Sequence, residues 1–520
     1  MNREGRPTGA GEAGAPQNRT FTGNRALQIE EPLIFERADA GHGGVDLPGP
    51  EGLEARLAGL EQECAPDLPG LSEPEIMRHY VRLSQKNFSI DGGLYPLGSC
   101  TMKHNPRLNE KMARLPGFAD IHPLQPASTV QGALELQHEI SAWLCNITGM
   151  NAVTLAPRAG AHGELAGMMA IRAALEARGD ARSVVLTPES SHGTNPATAS
   201  LVGYKVRAIA AREDGTVSVE AVRENLGPDV AGIMITNPNT CGLFERDFAA
   251  ISAAVHEAGG FVYGDGANLN ALMGRADVAA LGVDAMHINL HKTFSTPHGG
   301  GGPGAGPVVF SKALAPFAPL PLLREEGGVF SLVENPGAAG DAAPFGRMAA
   351  FQGQMGVFVR ALAYMLSHGG DGLAQSTDDA VLNANYIRAR LADVMSLPFG
   401  NHPCMHEVLF DDAFLKDTGI TTLDFAKAMI DEGFHPMTVY FPLVVHGAML
   451  VEPTESESRE SLDQFIDTLR ALVKAAKAGQ TERFTTAPLN APRRRLDETR
   501  AARQPVLVYE DEGTKEPAAR

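Results

Sequence analysis

The sequence predicts an α/β protein, with a large domain on a mostly parallel sheet and a smaller α/β domain after it. Two observations carry this prediction. From about residue 130 to 315, short apolar runs alternate with helical patterns, as in βα units on a parallel sheet. After a Gly- and Pro-rich stretch at 326–345, the alternation resumes on a smaller scale.

The elements follow in order. Residues 1–30 are rich in Gly, Pro, Asn and Arg with little apolar periodicity, which predicts a disordered N-terminal extension. Residues 31–130 read as a helical and loop segment. Ser72 and Glu75 form a capping-box pattern with Pro74 in the first turn, so a helix is expected over 72–89. Gly and Pro make 91–103 a loop, and long loops often carry function. The large domain spans 131–330. Helices are expected at 131–147, 164–177 and 248–258, the last closed by Gly259-Gly260. Strands are expected at 183–187, 230–236, 261–264, 285–290 and 307–310. The small domain spans 346–480. It should hold helices at 347–367, 377–395 and 422–432, strands at 407–410, 438–441 and 449–452, and a last helix to about 477. Ser456 or Ser458 would cap that helix. The tail 481–520 is charged, carries Arg493-Arg494-Arg495 and lacks core periodicity.

Bulk composition narrows the function. The chain has 520 residues, 43% of them hydrophobic, enough for sizeable cores. Its net charge of −18 argues against nucleic acid or an anionic membrane surface as partner. No apolar run is long enough for a transmembrane helix, and Met1–Arg19 has no secretory signature. Five scattered cysteines without a CxxC argue against a disulfide framework or a cysteine zinc site and point to a reducing compartment.

The chemistry concentrates at strand ends. Lys292 ends an apolar segment and meets the glycines Gly299 to Gly302. Asp265 ends the strand beginning at Phe261. Ligands of parallel sheets bind outside the carboxyl ends of the strands, and both residues fall there. A lysine at a strand end is usually just solvated. With an aspartate on a neighbouring strand end and an anion-binding turn beside it, it fits a Schiff base with pyridoxal phosphate, the aspartate pairing with the pyridine nitrogen. His192, just after strand 183–187, can stack on a ring or simply bond its own loop. Gly160-Ala161-His162 precedes a helix, where bare N–H groups suit a phosphate, or forms an ordinary tight turn. Asn237 to Thr240 can reach a ring hydroxyl or substrate, or only close a turn. Gly299, Gly301 and Gly304 match GxGxxG, but they lead into a strand rather than a helix, which excludes a dinucleotide site. His287, His291 and His298 would suit a metal on a helix. Their segment reads as a strand with no acidic ligand close by, so no metal site is expected.

The strings Tyr95 to Lys103, Ala159 to Glu164, Ser191 to Pro196, Asp265 to Asn268, Asn289 to Phe294, Phe434 to Pro436 and Glu452 to Glu455 occur in the order found in one family. Spanning roughly residues 30–505, they resemble the glycine-cleavage-system P-protein (glycine dehydrogenase, aminomethyl-transferring), in particular the second subunit of its two-subunit form. The resemblance implies a fold-type I pyridoxal-phosphate enzyme of the aspartate-aminotransferase kind. Lys292 would carry the Schiff base, Asp265 would hold the pyridinium and His192 would stack on the ring. Gly160, Ala161, His162, Thr240, Asn268 and His291 would complete the cofactor site. The loop bearing Tyr95, Ser99, Cys100 and Thr101 would line it.

The implied reaction removes CO2 from glycine, with the ring as electron sink, and passes the aminomethyl group to the lipoyl disulfide of the H-protein. No nicotinamide cofactor is implied. A separate first subunit is, in a cytoplasmic heterodimer or heterotetramer. Arg158 departs from the family pattern and would bind the substrate carboxylate or face solvent. Two other readings remain open: another fold-type I decarboxylase or lyase, and a catalytically silent structural subunit.

Overall fold

The computed structural model of the chain describes residues 31–37, 48, 60, 68–298, 304–335, 337, 342–491 and 494–509. The expected extension at 1–30, the glycines 299–302 and Arg493 lie outside them. The chain forms two compact units, Ile90–Met429 with Phe434–Thr481, and Met1–Ser89 with Ile430–Gly433 and Glu482–Arg520.

The first unit holds a seven-stranded sheet. Its strands are β1 (Ala152–Thr154), β2 (Val184–Pro188), β3 (Lys205–Ile209), β4 (Val230–Thr236), β5 (Phe261–Gly266), β6 (Ala285–Ile288) and β7 (Val308–Phe310), in the order β1-β7-β6-β5-β4-β2-β3. β2 through β6 pair in parallel, and β7 runs antiparallel to both β6 and β1. β4 is buried at every position, as an apolar strand covered on both faces must be. Ile233, Ile235 and Val262 point into one core and Met234 and Tyr263 into the other, following the two-residue alternation of a strand.

Helices cover both faces. Gly160–Ala177 lies so close to β5 and β6 that a Cβ on Gly163 would come within 2.7 Å of the His287 Cβ, and one on Gly167 would meet the Tyr263 ring. The small residues of this helix therefore set how near its first turn comes to the strand ends.

A hairpin follows, β8 (Leu322–Glu326) and β9 (Val329–Val333). It occupies the start of the expected 326–345 loop, with Gly327 and Gly328 turning at positive φ. Two helices were expected next, and the span Met355–Leu391 holds two that meet at a kink, where Gly369 takes a non-helical conformation (φ 63°, ψ −178°).

The smaller sheet has β10 (Val408–Phe410), β11 (Thr438–Val439) and β12 (Met449–Val451) in the antiparallel order β10-β12-β11. The helix Arg459–Lys477 is capped by the Ser458 hydroxyl, which accepts from the Ser461 N–H at 3.2 Å.

In the second unit, the helix Glu73–Gln85 starts at Ser72, whose N–H donates to the Glu75 carboxylate at 2.9 Å. Buried Glu31 holds His79 at 2.8 Å and the Arg82 Nε at 2.5 Å. The tail is not featureless: Arg495 donates to the carbonyls of Ala487 and Phe484, and Glu498–Arg503 is helical.

Candidate active site

The carboxyl ends of β2, β4, β5 and β6 share one edge of the large sheet, because those strands are parallel. Asp265, the second-last residue of β5, is fully enclosed there and pairs in register with His287 on β6. The Asn195 amide donates to its Oδ2 at 3.0 Å, the Ala267 N–H donates to Oδ1 at 3.0 Å, and His287 Nε2 lies 3.5 Å from Oδ1. Burial pushes the carboxyl up, but the His287 ring, the Asn195 amide, the Ala267 N–H and the Lys292 charge outweigh it. Asp265 is therefore held below the usual aspartate range. The His287 ring is fixed in turn, with Nδ1 2.6 Å from the Tyr263 hydroxyl and Nε2 3.0 Å from Asn289 Oδ1. Glu164 binds the Thr194 hydroxyl at 2.6 Å and the Asn195 amide at 2.9 Å. The expectation of no acidic group near the histidines is thus corrected: Asp265 and Glu164 both lie beside His287. Sequence spacing cannot show a neighbour on an adjacent strand.

Gly160, Ala161 and His162 lie in the first turn of the helix, not in a loop ahead of it. No side chain caps that turn, so its N–H groups face outward at the positive helix end. A Cβ on Gly160 would come within 2.7 Å of Asn289 Nδ2, so glycine lets this turn lie against the end of β6. His162 folds back instead, its Nδ1 accepting from the Arg158 N–H at 3.2 Å.

Lys292 is corrected in its setting. β6 ends at Ile288, and the lysine sits on a single helical turn, Leu290–Thr293. Its Nζ donates to the Ser99 carbonyl at 3.2 Å. Ser99 adopts φ 60° and donates its own N–H to Glu407 at 2.7 Å. The loop is tied down further on. Thr101 donates its hydroxyl to Glu452 at 2.5 Å, and the Cys100 Sγ lies 3.8 Å from His298 Nδ1. Leu97 bridges to Val451, so the loop adds to the small sheet. Lys103 is buried in a pair with Glu455 at 2.5 Å.

The other expected residues divide. His192 is exposed in the loop after β2, edge-on to Phe441 with ring centres 5.7 Å apart, and its Nδ1 is 2.8 Å from the Thr194 hydroxyl. Tyr95 stacks on His435 at 4.2 Å. His291 Nδ1 accepts from the Ala305 N–H at 3.4 Å, and burial pushes the ring down to about 3, so it is neutral. Two residues hold carbonyls of neighbouring loops. The Thr240 hydroxyl donates to the Ser190 carbonyl, joining the loops after β4 and β2. The Asn268 amide donates to the Pro238 carbonyl at 2.9 Å. Arg158 is half-buried: its Nη2 donates to the Phe351 carbonyl at 2.9 Å and its guanidinium lies over that residue's ring, while its Nη1 has no hydrogen-bond partner among the described residues.

Sequence reading gave no role to Glu164, Asn195, His287, His406, Glu407 or Glu452. Glu452 stood within a quoted string, Glu452 to Glu455, and that string was the one signal available for it.

Two family models match the chain, Aminotransferase class-V over residues 163–319 and the C-terminal domain of glycine dehydrogenase over 376–492. The chain is 64% identical to the probable glycine dehydrogenase (decarboxylating) subunit 2 of Caulobacter vibrioides, over 98% of each chain. It is 47% identical to the protein of the same name from Thermotoga petrophila, over 92% of this chain and 99% of that one. Among solved structures it resembles an inhibitor-bound glycine decarboxylase (P-protein) of the glycine cleavage system, with TM-score 0.67 and 20% identity over 80% of this chain and 94% of the other. It also resembles a glutamate decarboxylase from Lactobacillus brevis, with TM-score 0.63 and 14% identity over 81% and 96%. These two structures show the fold, which is fold-type I.

Proposed function

The chain belongs to the family of glycine dehydrogenase (decarboxylating) subunit 2, and from that premise we propose that it is the cofactor-bearing half of a two-subunit glycine decarboxylase. The cofactor is pyridoxal phosphate. Lys292 would anchor it covalently, Asp265 would face the ring nitrogen, the first turn at Gly160–His162 would take the phosphate, and His192 would cover the ring at the mouth. The residues present fit such a group: an uncapped helix start, a buried carboxylate below its usual range and an amine held by one carbonyl meet at one sheet edge.

Bound there, pyridoxal phosphate supplies a ring that accepts the electron pair left behind when CO2 departs from glycine. The protein's own groups do the rest. Asp265, ionised and braced by Asn195 and His287, would keep a proton on the ring nitrogen. Tyr263 and Asn289 fix the His287 ring, so the brace cannot rotate away. The Ser99 carbonyl orients the Lys292 amine. Tyr95, Cys100 and Thr101 would line the space beside that amine.

The observation that carries the reading is Asp265, a buried carboxylate kept ionised in register with the strand whose continuation delivers Lys292. We further infer that the aminomethyl group passes to the lipoyl arm of an H-protein. A first subunit would complete a heterodimer or heterotetramer in the cytoplasm. Among the described residues no helix is long and apolar enough to cross a membrane.

The test is the visible spectrum of the purified protein before and after borohydride, with mass mapping of the reduced peptide. An absorption band trapped on Lys292 is expected. A protein that stays colourless with added pyridoxal phosphate and a first subunit would favour a silent structural subunit. Exchange of labelled bicarbonate into glycine, dependent on the lipoyl carrier, separates glycine decarboxylation from any other fold-type I reaction.

A further inference from the structure

The small sheet carries an unusual pair. Val408 pairs with Val451 in the antiparallel register, so one step outward places Glu407 opposite Glu452. Like charges directly opposite on a sheet repel, and here both side chains are wholly buried. Each carboxylate has one oxygen bonded to the loop that seats Lys292: Glu407 accepts from the Ser99 N–H and Glu452 from the Thr101 hydroxyl. The second oxygen of each, and both nitrogens of adjacent His406, have no hydrogen-bond partner within the described residues. One liganding atom from each of the three residues falls within a cluster 4.8 Å across. Two ionised carboxylates cannot share so dry a place. One proton gives the pair a donor for a bare oxygen and removes the repulsion.

We propose that Glu407 and Glu452 share a single proton and act together as positioning residues, clamping the Ser99–Thr101 segment that holds the Lys292 amine. The proposal rests on the reading of Lys292 as the reactive amine, which it deepens. The groups facing the pair are Lys292 from its helical turn, Cys100 and Lys103 from the loop, Glu455 beyond β12, His406 and Cys404 before β10, and Cys241 after β4. Lys103 is already paired with Glu455. Burial pushes His406 down to about 3, so it brings no charge. Lys292 is left to balance one negative charge on the pair. Burial drives both carboxyls up, Glu452 to about 7 and Glu407 well above its usual range.

The test uses the full-length protein stripped of cofactor, so its outcome does not depend on whether pyridoxal phosphate is the cofactor. Infrared difference spectra in water and heavy water at neutral pH should show a neutral-carboxyl band that is lost in both Glu407→Gln and Glu452→Gln, beside a band of Glu245, whose carboxyl burial also pushes up to about 7 and which survives in both. Loss of no band in either variant, or loss of a different band in each, would overturn the shared proton. Alkylation of Cys100 at one fixed pH reads the clamp. Glu407→Gln and Glu407→Ala remove the same charge near the thiol, but only alanine removes the acceptor for Ser99. The alanine variant should react about tenfold faster than the glutamine variant, the effect of losing one buried hydrogen bond. Equal rates would overturn the clamp. A stoichiometric metal in the purified protein that is lost in Glu452→Gln would overturn the proton in favour of a metal site.

Discussion

Two buried acidic centres flank the Lys292 amine, and they are built on opposite rules. On the large sheet, Asp265 is surrounded by donors and by the His287 ring, and its carboxyl is held below the usual range. On the small sheet, Glu407 and Glu452 face each other, each with a bare oxygen, and both are pushed up. Burial acts alike on both centres. The partners decide the sign: donors and cations keep a carboxylate charged, while a second carboxylate makes it keep its proton. One sheet thus offers a fixed negative charge and the other an adjustable one.

The comparison can be broken at the point the two centres share. Lys292→Ala should reduce bicarbonate exchange to the uncatalysed background while leaving thermal unfolding unchanged. Residual turnover would remove the amine from the mechanism. Asp265→Asn strikes the fixed charge alone. It should retain bound cofactor, seen in the spectrum, yet lose roughly a hundredfold or more in rate, as when one preorganised electrostatic partner is removed. An unchanged rate would mean that the charge on β5 is incidental.

The adjustable centre is sharpened by pH. Glu452 has a folded value near 7 against an ordinary 4.5. Its contribution to stability is therefore complete below the ordinary value and is lost as pH rises through about 7. The cofactor-free parent should lose Tm across that window more steeply than Glu452→Gln. Parallel curves would show that the carboxyl does not titrate there. Asp265 has the reverse sign, its contribution being lost only in acid, below the ordinary aspartate range. The smallest effect lies outside both centres. Ser458→Ala removes the cap of the helix Arg459–Lys477 and should lower urea stability by about 1 kcal/mol, with the exchange rate unchanged. A loss of rate would mean that this helix supports the site.

What the sequence made legible follows the same physics. β4 and β5 were readable because strands buried on both faces are continuous apolar runs. The edge strand β3, with Lys205 and Arg207, gave no such run, and β1 has only three residues. The hairpin β8–β9 was hidden by the Gly327-Gly328 turn and by Arg324, Glu325 and Glu326. Lys292 and Asp265 stood out because chemistry-bearing residues at parallel strand ends share an edge by topology alone. The helical turn under Lys292 could not be seen, because four residues carry too little periodicity. The pairing of Glu407 with Glu452 was invisible for a different reason: an antiparallel pairing makes them neighbours, and no local pattern predicts which strands pair. The bonds of Thr240 and Asn268 were not legible either, because a sequence does not show whether a hydroxyl or amide is already bonded to a carbonyl.

The loop under the lysine has a consequence for how the protein is made. Ser99 waits for a partner 308 residues further along the chain, and Thr101 for one 351 residues further. Chains emerge from the ribosome N-terminus first, and domains fold as they appear. The large sheet can assemble while synthesis continues, but the seat for the amine cannot form until β12 has emerged. A nascent or prematurely terminated chain would carry Lys292 on a folded sheet without the clamp that seats it, so the chemistry is completed only by nearly full-length translation.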